Sequence, residues 1–169
     1  MSLHSGLLKQ ARFLARKEPK KPTQASLRRS VSASYYALFH LLVDEATKLL
    51  LSGNVRRPLR DSLARAFHHS FMKQAALEFT KQQVSPKLSS GFNRQAVPQP
   101  LVDVATAFVQ LQEARHDADY NRTLRFTRSE VLDLVDLAEL AFQDWKLVRR
   151  TLHADTFLTG VLAYRHMQG

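Results

Sequence analysis

The chain contains no cysteine. That excludes disulfides, thiol catalysis and cysteine-based zinc sites, and it is compatible with a reducing cytoplasm. Glycine and proline are scarce, at 5 and 6 of 169 residues. Ala, Leu, Arg, Lys and Gln are abundant instead, which favours helix throughout. Strand-like alternation is absent, and no apolar run approaches the ~20 residues needed to span a bilayer. No GxSxG, GxxxxGK[ST] or GxGxxG motif occurs, so nucleophilic serine chemistry, P-loop phosphate binding and dinucleotide binding find no support. The 7 histidines show no HExxH spacing. His68 and His69 are adjacent and point in different helical directions. Neither a metal site nor a cofactor is expected.

Acidic residues are also few, 15 against 25 basic ones. The imbalance is uneven: residues 1–80 carry 14 basic and 5 acidic side chains, residues 81–169 carry 11 and 10. The first half is thus the electropositive one, and polyanions such as RNA are its natural partners. A soluble basic protein with scattered lysines would give the same count. The basic, amphipathic N-terminus has the look of a mitochondrial transit peptide. However, Leu7, Leu8, Ala11, Leu14 and Ala15 follow core-helix spacing, and the segment is read as the first helix of a bundle.

The length predicts a single domain over 1–169, with a core of about 5–150 and a C-terminal extension over 151–169. Periodicity predicts an all-α, up-and-down bundle of about five helices. The first runs from Leu3 to Lys17 and the second, long and central, from Thr23 to Leu51, stopped by Ser52-Gly53-Asn54. The third starts at Pro58 and carries a stripe from Leu59 to Phe79, ending near Gln82. A long loop over 83–98 follows, of a length often mobile or functional. The fourth helix spans Gln99 to Asp119. The fifth begins at a capping box, Thr127 with Glu130, and runs to Arg150. A short extra helix, interrupted at Gly160, closes the chain.

Two groups of residues could carry chemistry. From Arg28 to Leu51 no Gly or Pro breaks the second helix over 24 residues. Its wheel places Val31, Tyr35, Leu38, Leu42 and Leu49 on one side and Arg29, Ala33, Tyr36, His40, Val43 and Thr47 on the other. The second stripe combines a cation, a phenol and an imidazole. It could hold a phosphate, stack a base and exchange a proton. Alternatively, Tyr36 and His40 are hydrogen-bonded core residues. The second group ends the fourth helix: Glu113-Ala-Arg-His-Asp-Ala-Asp-Tyr120. Arg115 and Asp119 are four residues apart and can pair. The knot is either a cap and salt-bridge network or a device orienting Arg115 and His116 toward an anion.

Ser34-Tyr-Tyr-Ala-Leu-Phe-His-Leu-Leu42 and Arg115-His-Asp-Ala-Asp-Tyr120 together resemble two motifs of the HEPN superfamily (higher eukaryotes and prokaryotes nucleotide-binding), over roughly residues 5–150. The resemblance implies a small helical bundle that binds nucleotide or RNA and self-associates as a homodimer. Ribonuclease members use an Arg followed, after four to six residues, by a His. Here positions 120–122 are Tyr120, Asn121 and Arg122. The chain is therefore similar to the branch that lacks this motif, whose members act with a small nucleotidyltransferase in toxin–antitoxin-like systems. The chain carries no nucleotidyltransferase motif of its own, so such a partner would be a separate polypeptide. The resemblance implies a ligand site of Arg29, Tyr36, His40, Arg115, His116, Asp119 and Tyr120 in a cytoplasmic protein. One alternative is a divergent, metal-independent endoribonuclease using Arg115 and His116. Another is a pure protein-interaction module.

Overall fold

The computed structural model describes residues 2–81 and 84–167. They form eight α-helices and contain no strand: α1 (Leu3–Arg16), α2 (Gln24–Leu50), α3 (Arg57–Leu63), α4 (His69–Thr80), α5 (Pro86–Ser89), α6 (Gln99–Tyr120), α7 (Arg128–Val148) and α8 (Leu152–Met167). Among the described residues no helix is long and apolar enough to cross a membrane.

The all-helical expectation holds, but the count of five helices does not. The expected third helix is two helices. Its stripe is cut after α3 by a 3₁₀ turn over Ala64–Ala66 and by extended backbone at Phe67 and His68. No Gly or Pro marks this break. Burial of Phe67 accompanies it, so a tertiary contact replaces helix continuation. The expected stop near Gln82 lies outside the described residues; α4 ends at Thr80. The long loop contains the single turn α5 and a 3₁₀ turn over Ser90–Phe92. Finally, α8 is not interrupted at Gly160. A Cβ there would meet Leu88 Cδ2 at 3.2 Å and Ala75 Cβ at 3.8 Å. The glycine makes room for close packing and does not break the helix.

The local signals explain the helix ends. Thr23 accepts the Ser26 amide at 3.2 Å to start α2, and Gly53 takes φ +89° beyond its end. Thr127 and Glu130 form the expected capping box: Thr127 N–H donates to Glu130 Oε2 at 2.7 Å, and Glu130 N–H donates to Thr127 Oγ1 at 3.3 Å. The Thr127 backbone N–H and, second, its hydroxyl both donate to the Glu130 carboxylate and hold it below its usual pKa.

Two compact units can be distinguished. The first comprises Met1–His40 and Ala107–Gln143. Small residues let its helices approach closely: Ala11 and Ala33 bury with Val135, and Ala15 with Leu27, Val31, Ala118 and Val131. Ser30, on the buried face of α2, donates to Ala11 O at 2.7 Å. Arg12 of α1 pairs with Asp136 and Glu139 of α7 at 2.5 and 2.7 Å. Two arginines close helix ends whose last carbonyls lack intrahelical partners. Arg128 donates to Ala15 O at 3.2 Å, to Pro19 O at 2.6 Å and to Glu18 O, just beyond α1. Arg28 does the same for the end of α6.

The second unit comprises Leu41–Thr106 and Asp144–Gly169. Its core is aromatic. Phe79 of α4 meets Phe157 of α8 edge-on at 5.0 Å, and Trp145 lies 6.4 Å from Phe157. Phe92 stacks on His153 at 4.4 Å. Tyr164 donates to Glu78 at 2.8 Å. Burial first, then this bond, pushes the Tyr164 phenol up to about 12.

Candidate functional site

The C-terminal end of α6 is held against α2 within the first unit. Arg28 sits four residues before Ser32, on the side of α2 that meets this end. Its guanidinium donates to Ala118 O at 2.7 Å and Asn121 O at 2.9 Å, and to Leu124 O as well. These are the carbonyls that the end of α6 and the following turn leave open. The guanidinium also lies over the Phe126 ring, 5.7 Å from its centre. Gln24 pairs with the Phe126 backbone in both directions, at 2.8 and 3.0 Å.

With α6 fixed in this way, Arg115 reaches α2. Its Nη2 donates to Tyr36 Oη at 2.9 Å, and its Nε lies 2.8 Å from Asp119 Oδ2. The second contact lacks the alignment of a hydrogen bond, so charge holds it. Asp119 is fixed from the other side, where Ser32 Oγ donates to its Oδ1 at 2.8 Å. The guanidinium carbon lies 5.4 Å from the Tyr36 ring centre and 5.9 Å from that of Tyr120. These distances suit cation–π attraction. His116 places its ring 5.0 Å from Tyr120. Burial works against the Arg115 charge, but Tyr36, Asp119 and Tyr120 together outweigh it, and the proton is held more tightly than usual.

Five of the seven expected residues therefore gather in one cluster: Tyr36, Arg115, His116, Asp119 and Tyr120. The expected Arg115–Asp119 pair is present. The side chains of Arg115 and Asp119 retain 19 % and 26 % of their exposure, and Tyr120 retains 65 %. The cluster is thus reachable from solvent at Tyr120 and His116 and better covered at the ion pair.

His40 lies one turn further along α2. Its ring is 6.3 Å from Tyr36, at a 30° tilt. It is half-buried, and burial, followed by the neighbouring His4, holds its pKa below the usual value. It is thus neutral near pH 7. Arg29 is exposed, and no hydrogen bond or ion pair joins it to the cluster; its neighbour Arg28 is the arginine that grips α6.

Comparisons with protein-family models, with curated proteins and with solved structures found no match to the chain. The chemical reading therefore rests on the geometry. An Arg has five N–H donors in a planar fork, and Asp119 and Tyr36 engage two directions of it here. The remaining donors can take an anion. The flanking rings of Tyr36 and Tyr120 offer faces on which a flat group can stack. Proton transfer would fall to His116, which is exposed beside Arg115 on the same helix.

Two contributors escape the wheel of α2 as first read. Ser32 was not among the residues expected on the stripe, although helical spacing sets it one turn before Tyr36. Arg28 gave no signal, because its acceptors are backbone carbonyls that any sequence supplies. A hollow of about 520 Å³ in the same unit is lined by other residues, among them Gln110, Phe126, Asp133 and Leu137.

Proposed function

We propose that the chain is a HEPN-like helical protein that binds nucleotide or RNA at the Arg115 cluster. It would act in the cytoplasm as a homodimer and as the substrate-binding partner of a separate nucleotidyltransferase, in a toxin–antitoxin-like pair. One observation carries the reading: the 2.9 Å bond from Arg115 Nη2 to Tyr36 Oη. It joins the two motifs of the resemblance, 79 residues apart in sequence, into one place. In this reading Arg115 contacts a phosphate, Tyr36 and Tyr120 stack a base, and Asp119 aims the guanidinium. His116 borders the bound group. Neutral His40 supports Tyr36 from one turn away, and exposed Arg29, about 10 Å back along α2, meets a neighbouring phosphate.

The test is fluorescence anisotropy of a labelled RNA oligonucleotide across a salt series. Binding should weaken steeply with salt, and Arg115→Ala should weaken it further and flatten the slope. Undetectable or salt-insensitive binding of both RNA and nucleotides counts against the proposal.

A second reading, a divergent metal-independent endoribonuclease, draws on the exposure of His116 beside Arg115. Arg115 would stabilise the phosphorane and His116 would move the proton. RNA cleavage in the presence of EDTA, lost in both Arg115→Ala and His116→Ala, would favour it over binding alone. Capture of a nucleotidyltransferase without any RNA binding would point instead to a pure interaction module.

A further inference from the structure

The segment over residues 84–97 frames a hollow of about 330 Å³ in the second unit. That is the lower end of the size range of small-molecule sites. Val84, Phe92 and Val97 supply apolar lining, and Ser89, Arg94 and Gln95 supply polar groups. The Phe92 ring is fixed in place, stacked on the buried His153 at 4.4 Å. The backbone behind it is equally constrained: a Cβ on Gly91 would stand 2.5 Å from Thr156 Oγ1.

Arg94 is the unusual member. It has φ +56° and follows Asn93 at φ +54°. Asn tolerates the left-handed region, but an arginine there is strained. The strain is locked in by the backbone bonds Arg94 N–H to Ser89 O at 2.9 Å and Gln95 N–H to Phe92 O at 3.1 Å. A glycine would meet the same turn without strain, yet the position carries a long cation. That cation is exposed, and among the described residues nothing pairs with its guanidinium.

We infer that this hollow binds a small organic anion with a flat or branched apolar body. The anionic head pairs with the Arg94 guanidinium, beside the Gln95 amide and the Ser89 hydroxyl. The body lies against Val84 and the edges of Phe92 and Val97 that line the hollow, both otherwise buried. The head can be a carboxylate or a phosphate monoester, since a guanidinium fork suits both. The site belongs to the second unit and does not depend on the function of the Arg115 cluster.

The experiment is calorimetric titration of the full chain with 3-phenylpropanoate, with phenyl phosphate and with the neutral 3-phenylpropanamide. One of the anions should bind saturably and at least roughly tenfold more tightly than the amide. The preferred anion then identifies the head group. Arg94→Gln should lose this preference. Arg94→Gly should keep or raise the melting temperature, because glycine adopts φ +56° freely, and should lose anion binding as well. The inference is overturned if the amide binds as tightly as the anions, if Arg94→Gln keeps the full preference, or if neither anion binds saturably at millimolar concentration.

Discussion

Asp119→Asn separates a working anion site from a structural knot at Arg115. The carboxylate lies 2.8 Å from Arg115 Nε and accepts from Ser32 at 2.8 Å. The amide is nearly the same size, and its oxygen can still accept from Ser32, so packing is kept while one negative charge is removed. Stability should fall by about 1 kcal/mol, the worth of a partly covered ion pair. For a chain of this length that is a loss of about 2–4 °C in Tm. Affinity for an anion should move the other way. A phosphate on the open side of the guanidinium would stand about 7 Å from the Asp119 charge. At an effective dielectric constant of 20–40 the repulsion is ~1–2 kcal/mol. Its removal should tighten binding roughly five- to thirtyfold. Anisotropy with labelled RNA at fixed, low salt measures this, beside urea unfolding of the same variant. A variant that folds, loses stability as expected and binds RNA no tighter than the parent would refute the reasoning. Asp119 would then be a strut for Arg115 and the cluster a helix-end network.

The other predictions use the same structure. Arg28→Ala should cost ~2–4 kcal/mol in urea unfolding, because it leaves the carbonyls of Ala118, Asn121 and Leu124 without their donor, and Arg28→Lys should recover only part; equal stability of Arg28→Lys and the parent would deny the fork its role. Tyr36→Phe should cost about 1 kcal/mol and release Arg115, visible as faster exchange of its guanidinium protons by NMR. Burial holds the pKa of His40 below its usual value, so its share of stability is complete above pH ~6.5 and is lost as pH falls through the folded value; His40→Gln should flatten the stability profile in that acid window. Gly160→Ala sets a helix gain of about 1 kcal/mol against crowding of Leu88 at 3.2 Å, and since α5 packs its Leu88 side chain there, no net gain in Tm is expected.

What the sequence disclosed follows the range of the forces involved. Helix periodicity is local, so the extents of α1, α2, α6 and α7 and the capping box at Thr127 were legible within a few residues. The same periodicity set Tyr36 on the polar stripe of α2 and Arg115 and Asp119 one turn apart, so these parts of the cluster were legible before their meeting was, while Ser32 was not. Periodicity gives a direction around one helix, but not what stands opposite. That is why Arg29, in the expected direction, is exposed while Arg28 grips α6: the deciding acceptors are main-chain carbonyls, which leave no mark in the sequence. The break between α3 and α4 is hidden for a related reason, since it accompanies burial of Phe67 and needs no breaking residue. Gly160 shows the converse. Glycine weakens an isolated helix by about 1 kcal/mol, so it reads as an interruption. In α8 the same lack of a side chain admits Leu88 and Ala75 at close range, and that contact opposes the lost propensity. Such a glycine can be read only with its neighbour. The left-handed arginine at position 94 is the same problem in reverse: its φ of +56° and its place in the lining of a hollow are both invisible in the sequence.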